Sequence, residues 1–257
     1  MSALRARVEQ PVHLFETSRE AEQLVAGILA ARIRSHPASV LGLATGASMI
    51  GVYRELARSH RASGLSFAEV TTFNLDEYCG LAPGDPSSFA AYMDKNLFDH
   101  VDADRRRLHL PEGDEDGPAS YEAAIAATGG IDLQLLGIGR NGHIGFNEPD
   151  SQGTSRTRIV ELAPQTLDAN ANEFPAGTAV PRKAVTMGIE TILFARRIVL
   201  LATGGAKAKA LAGALEGEIR PHNPASFLQR HPDVTVVCDL AAAAELRNIP
   251  RLENSHA

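Results

Sequence analysis

Three acidic side chains and one histidine lie in loops where an enzyme could use them to move protons. Asp76 and Glu77 come shortly after the apolar stretch Val70–Phe73. His143 lies in a glycine-rich loop, and Glu148 follows it in the same loop. A carboxylate can shuttle protons if burial keeps its pKa useful, and a carboxylate beside a histidine can orient the imidazole. These residue types therefore indicate acid–base chemistry.

Each of these residues also has a plainer interpretation. Neighbouring residues in an extended chain point to opposite sides, so only one of Asp76 and Glu77 is expected to face a pocket. The other would be a helix cap or a surface charge. A single histidine is more often structural than catalytic, but the glycines before His143 indicate that the backbone closely approaches another group. That setting favours a functional role for His143.

Two further glycine-containing loops follow apolar strands and open helices. The first contains Thr45, Gly46, Ala47 and Ser48, and the second is Gly204–Lys207. Backbone N–H groups at the start of a helix can bind an anion. Lys207 lies in the first turn, where the helix dipole disfavours a cation, so we expect a ligand anion nearby. The alternatives are a plain turn with Ser48 as N-cap, and a surface lysine.

Hydrophobic patterning predicts the elements that must position these loops. The predicted strands are Val12–Phe15, Val40–Leu43, Val70–Phe73, Ile131–Gly137, Arg197–Ala202 and Val234–Cys238. The predicted helices are one from a capping box at Thr17 to His36, then Ser48–Ser59, Ser87–Phe98, Tyr121–Ala127 and Ala206–Leu215. This alternation predicts an α/β fold with an open, mostly parallel sheet and helices on both faces. Ligands bind beyond the carboxyl ends of such strands, where the four loops lie.

Composition fits one globular domain over residues 1–257. Hydrophobic residues make up 44% of the chain and charged residues 22%, and such a chain buries a core without disulfides. The irregular stretch at about 149–185 is expected to form a lid or an antiparallel addition. The net charge of −6 argues against a nucleic-acid partner. With two cysteines and no visible signal peptide or transmembrane span, we expect no membrane partner and a cytoplasmic location.

Two segments carry a resemblance to a known family. Thr72–Tyr78 and Gly142–Pro149 resemble the signature segments of the glucosamine-6-phosphate deaminase/isomerase family, and the similarity extends from about residue 12 to 240. The resemblance implies a modified Rossmann-like fold, no metal, no organic cofactor and a small-molecule sugar phosphate as partner. It implies the conversion of glucosamine 6-phosphate and water to fructose 6-phosphate and ammonia.

The resemblance also implies roles for individual residues. Asp76 corresponds to the aspartate that moves a proton between C2 and C1 of the sugar. His143 corresponds to the ring-opening histidine, and Asn141 and Glu148 to the residues that assist it. Lys207 and the loop from Thr45 to Ser48 correspond to sugar-phosphate contacts.

The chain departs from the family pattern at several positions. Asn172 stands where the family carries a phosphate-binding arginine, so Lys207 is expected to carry more of the phosphate charge. Ala47 replaces a smaller or hydroxyl residue and requires a negative φ. Glu161 would repel the phosphate of the family's effector, N-acetylglucosamine 6-phosphate, so we expect weak or no activation by it.

Three other functions stay open at this point. One is a deaminase/isomerase for another amino-sugar phosphate, such as galactosamine 6-phosphate. Another is a lactonase of the 6-phosphogluconolactonase type, and the third is a sugar-phosphate sensor domain without catalysis. The epimer of the sugar and the choice between monomer and homo-oligomer are not determined by the sequence.

Overall fold

Strands and helices alternate in the computed structural model, which describes residues 10–163, 166–168, 171, 174–175 and 178–248. The strands are β1 (Val12–Phe15), β2 (Val40–Leu43), β3 (Thr71–Asn74), β4 (Asp76–Tyr78), β5 (Leu108–His109), β6 (Leu133–Gly137), β7 (Arg158–Glu161), β8 (Lys183–Thr186), β9 (Arg197–Ala202) and β10 (Val234–Asp239). The helices are α1 (Ser18–Ser35), α2 (Ile50–Ser63), α3 (Phe89–Asn96), α4 (Gly117–Ala127), α5 (Ile189–Leu193) and α6 (Ala208–Leu215).

Seven strands form the main sheet, in the order β1-β10-β9-β6-β2-β3-β5. Every pairing in this sheet is parallel, which confirms the predicted sheet type. All residues of β10 are buried, and in β9 only Arg197 is partly exposed. Such continuous burial is expected for strands covered on both faces. The largest cluster of buried apolar side chains joins the sheet to α1 and α2.

A second sheet has three strands, in the order β4-β8-β7. Its pairings are antiparallel. β7 lies within the irregular stretch 149–185, and β8 begins near the end of that stretch and continues to Thr186. β4, a short strand that directly follows β3, was not predicted from the sequence. A small apolar cluster around Tyr78, Phe146 and Ala184 stabilises this sheet.

Capping explains where the helices begin and end. Thr17 and Glu20 form the predicted capping box of α1. The helix predicted for Ser48–Ser59 starts instead with a 3-10 turn, Ala47–Met49, and continues as α2 to Ser63, where Gly64 adopts a left-handed conformation. The helix predicted for Ser87–Phe98 is shorter, because Ser88 caps the start of α3. In the described ranges no helix combines the length and hydropathy that a membrane span needs.

Candidate active site

The four loops singled out in the sequence meet at one edge of the main sheet. They follow β2, β3, β6 and β9, which are neighbours in the order β9-β6-β2-β3. Hydrogen bonds join them: Leu75 N–H donates to the Leu43 carbonyl at 2.9 Å. The hydroxyl of Thr203 donates to Ser48 Oγ at 3.2 Å. The four loops therefore lie together beyond the carboxyl ends of the parallel strands, where a ligand site was predicted.

Asp76 is a buried carboxylate at the start of β4. The residue is 6% exposed, and no described residue donates a hydrogen bond to its carboxylate. Burial, and next the charge of Glu77, raise the pKa of Asp76 to about 8. A carboxyl group with that pKa can both accept and release protons near neutral pH.

Glu77 points away from this position and serves a different purpose. Its carboxylate accepts hydrogen bonds from the backbone N–H groups of Tyr78, Phe89 and Ala90 at 2.8–2.9 Å. Burial raises the pKa of Glu77, and these hydrogen bonds oppose that effect. Since two of the donors open α3, the helix-cap interpretation applies to Glu77, and Asp76 is the carboxylate that faces the site.

His143 lies against the backbone of its own loop. A Cβ atom at Gly139 would come within 2.2 Å of the imidazole, so any other residue there would have to displace the ring. Gly139 N–H also donates to the His143 carbonyl at 2.9 Å. The imidazole Nδ1 is 3.6 Å from Glu148 Oε1, within ion-pair range but longer than a hydrogen bond. Nδ1 is buried and has no hydrogen-bond partner among the residues that the structure describes.

Glu148 is held by neutral donors on both carboxylate oxygens. Asn141 Nδ2 donates to Oε2 at 2.7 Å, and Thr166 Oγ1 donates to Oε1 at 2.5 Å. Burial by itself would raise the pKa of Glu148, but His143, Thr166 and Asn141 outweigh it and lower the pKa to about 2. Asn141 Oδ1 accepts from the backbone N–H of His143 at 3.2 Å. Asn141 therefore orients Glu148 and the backbone of His143, and its hydrogen bonds go to these groups rather than to the imidazole.

Gly145 brings the histidine loop next to Asp76. A Cβ atom at Gly145 would lie 3.2 Å from Asp76 Oδ2 and 3.0 Å from Thr186 Oγ1. The following N–H group, of Phe146, donates to Thr186 Oγ1 at 3.1 Å. The loop is thus attached to the antiparallel sheet at the same place where that sheet carries Asp76.

Lys207 provides positive charge at the same edge. It ends a 3-10 turn, Gly205–Lys207, that precedes α6, and it is half-buried. Burial, and next the charge of Arg140, lower the pKa of Lys207. Within the described ranges neither cation has an acidic partner. Two neighbouring cations at the mouth of a site favour an anionic ligand.

In the loop from Thr45 to Ser48, the alternative of Ser48 as a helix N-cap is wrong. The 3-10 turn Ala47–Met49 has no side-chain cap, so Ser48 is not an N-cap, and its hydroxyl accepts from Thr203 instead. Ala47 has the negative φ that the sequence requires of it, because Asp150 is the only described residue besides glycine with a positive φ. Asn172 lies outside the described residues.

Sequence reasoning did not identify Thr166, Thr186 or Arg140. A single threonine far along the chain carries no local signal, because its contact with Glu148 or Gly145 exists only after folding. Arg140 stands beside Asn141 in the recognised loop, and its charge next to the His143 segment was the available signal.

Comparison with known proteins identifies the family. Residues 15–237 match the family described as glucosamine-6-phosphate isomerases/6-phosphogluconolactonase. The glucosamine-6-phosphate deaminase of Rhodopirellula baltica is 52% identical over 239 residues, which cover 91% of this chain and 95% of that protein. Glucosamine-6-phosphate deaminase 1 of Bacillus subtilis is 48% identical over 233 residues, covering 89% and 96%.

Solved structures agree with this match. A monomeric glucosamine-6-phosphate deaminase is 47% identical with a TM-score of 0.88, covering 92% of this chain and all of that one. A 6-phosphogluconolactonase from Trypanosoma cruzi has a TM-score of 0.75, covering 95% and 99%, but at 18% identity it shows the fold alone. The predicted fold class and the resemblance are confirmed, and the chain belongs to the glucosamine-6-phosphate isomerase/6-phosphogluconolactonase family.

Proposed function

We propose that this protein is a glucosamine-6-phosphate deaminase, which converts glucosamine 6-phosphate and water to fructose 6-phosphate and ammonia. The observation that carries the proposal is the pairing of two acid–base groups at one sheet edge. They are the buried carboxylate of Asp76 and the His143–Glu148 pair on the adjacent loop. Relatives that carry this name are 48% and 52% identical over most of the chain.

Ring opening is the task of the His143–Glu148 pair. A proton must leave the C1 hydroxyl and a proton must reach the ring oxygen while the bond between C1 and that oxygen breaks. The imidazole can take the first proton and return one to the ring oxygen. Glu148, whose pKa is lowered to about 2, stays a carboxylate and stabilises the imidazole when it carries the extra proton.

Proton transfer between carbons is the task of Asp76. The open amino aldehyde loses a proton from C2 and gains one at C1, while a second proton passes from the amine nitrogen to the C1 oxygen. One carboxylate can reach both neighbouring carbons. Asp76 must be ionised to accept the first proton, and an amine of the sugar in its ammonium form would favour that state. The resulting imine at C2 then reacts with water, and ammonia leaves.

The phosphate is proposed to bind where the two glycine-containing loops meet. Lys207 and Arg140 supply the charge, and the backbone at Thr45, Gly46, Ala47 and Ser48 supplies N–H donors at the start of a helix. These groups would compensate for the absence of the phosphate-binding arginine, which the family carries at the position of Asn172 in this chain.

The wider setting is part of the same proposal. We propose that residues 1–257 form one domain and that the stretch at about 149–185 is a lid-like insertion. The reaction serves the breakdown of amino sugars such as N-acetylglucosamine in the cytoplasm.

Ammonia release tests the proposal directly. The purified protein is incubated with glucosamine 6-phosphate and, in parallel, galactosamine 6-phosphate, and ammonia and fructose 6-phosphate are measured. Release from glucosamine 6-phosphate is expected, with Asp76→Asn as the inactive control. If neither sugar releases ammonia, the protein is not a deaminase of these sugars. If only galactosamine 6-phosphate does, the substrate is that epimer rather than glucosamine 6-phosphate.

A further inference from the structure

Thr166 contacts the candidate site from a different part of the chain. Its hydroxyl donates a 2.5 Å hydrogen bond to Glu148 Oε1, and the residue is 8% exposed. Thr166 lies in the connection between β7 and β8, whereas Glu148 belongs to the loop that follows β6. The hydrogen bond therefore joins the stretch 149–185 to the acid–base pair.

The position of Glu148 Oε1 depends on this contact. The other oxygen, Oε2, accepts from Asn141 Nδ2 at 2.7 Å. One hydrogen bond at Oε2 would leave the carboxylate free to turn about its bond to the side chain, whereas a second one at Oε1 fixes its plane. Oε1 is also the oxygen at 3.6 Å from His143 Nδ1, a buried nitrogen that lacks a hydrogen-bond partner in the described ranges.

We propose that Thr166 is a positioning residue, which holds Glu148 Oε1 beside His143 Nδ1 for the ring-opening step. When the imidazole takes up a second proton, Nδ1–H can close the 3.6 Å gap to a fixed oxygen with little rearrangement. A carboxylate that had first to rotate into place would stabilise that state less. The inference rests on the proposed deaminase function.

A merely structural role for Thr166 makes different predictions. A threonine that only stabilised the connection between β7 and β8 would matter equally whether or not Glu148 is a carboxylate. A positioning residue acts through Glu148, so its effect disappears when Glu148 is replaced.

The kinetic test is a double-mutant cycle with matched controls. Thr166→Val keeps the shape of the side chain and removes the hydroxyl, Thr166→Ser keeps the hydroxyl, and Thr178→Val makes the same change at an exposed threonine of the same connection. We expect Thr166→Val to lower kcat at least about tenfold with KM changed less than about twofold. Thr166→Ser and Thr178→Val should stay near the unmodified protein. In a Glu148→Gln background, Thr166→Val should cost no further activity.

A spectroscopic measurement tests the contact without turnover. The imidazole ¹⁵N signals of His143 are expected to move in Thr166→Val and to return in Thr166→Ser. Unchanged signals, unchanged kcat, or an equal loss in the Glu148→Gln background would each overturn the positioning role. If the unmodified protein releases no ammonia, the deaminase proposal fails by itself, and the imidazole signals still decide whether Thr166 acts on the pair.

Discussion

Asp76 and Thr186 are direct partners in the antiparallel ladder of β4 and β8. Thr186 Oγ1 and Asp76 Oδ2 both lie close to Gly145, in the loop that carries His143 and Glu148. The small sheet therefore positions the buried carboxylate, while the main parallel sheet positions the histidine loop. The two halves of the proposed reaction meet at this contact between the sheets.

Replacing Asp76 tests its role as the base between C2 and C1. Asp76→Asn keeps the size of the side chain but cannot accept the proton, so we expect kcat to fall by about 100- to 10,000-fold. Glu77→Gln is the matched control, because its carboxylate caps α3 and points away from the site. Steady-state ammonia release measures both variants. Unchanged turnover in Asp76→Asn would remove Asp76 from the mechanism.

The pH dependence of kcat/KM reports the ionisation of the free enzyme. Burial raises the pKa of Asp76 to about 8, and only the ionised form can act as base. We therefore expect kcat/KM to rise with pH and to level off above about 8. A profile that is already flat between about pH 6 and 9 would show that no base with a raised pKa takes part.

Ionisation of Asp76 should also change the stability of the folded protein with pH. The pKa of Asp76 in the folded protein is raised from 3.8 to about 8, so the protonated carboxyl contributes stability that is complete below about pH 4 and is lost as pH rises through about 8. Asp76→Asn cannot ionise. We expect this variant to have a higher Tm than the unmodified protein at pH 9, and a smaller difference at pH 5. Equal differences at both values would argue against a buried, ionisable Asp76.

The close approach of His143 to Gly139 predicts a sharp effect of one methyl group. In Gly139→Ala the new Cβ would collide with the imidazole, and displacing a reacting group by about 1 Å can cost about 100-fold in rate. The matched control is Gly27→Ala in α1, where a Cβ meets nothing within 4 Å. The control should keep full activity and gain about 0.5–1 kcal/mol in the free energy of unfolding, measured by urea denaturation. Equal activity of the two variants would contradict the position of His143.

Lys207 and Arg140 should govern binding of the phosphate. Lys207→Gln removes a half-buried cation at the site edge, and a charge-assisted hydrogen bond of this kind contributes about ten- to a hundredfold in affinity. We expect KM for glucosamine 6-phosphate to rise by that factor, and a smaller rise for Arg140→Gln, whose side chain is exposed. Lys209→Gln, an exposed lysine of α6, is the control. An unchanged KM in Lys207→Gln would place the phosphate elsewhere.

Much of the architecture follows from local patterns in the sequence. Alternating apolar strands and helices, with caps such as Thr17, predict the parallel sheet because each depends on residues close together in the chain. The sequence also identifies the segments around Asp76 and His143 as candidate catalytic loops, because ligand-binding side chains cluster in the loops that follow parallel strands. The boundaries of α2 and α3 shift because Gly64 and Ser88 stop and start them.

The tertiary structure decided which side chains act together. The sequence places Asp76 and Glu77 side by side, but only the packing of α3 against Glu77 shows which of them faces the site. It likewise places Asn141 near His143, whereas folding directs its amide to Glu148. Thr166 reaches the same carboxylate from another part of the chain. Sequence periodicity reports neighbours within one element, and contacts between distant elements depend on how those elements pack.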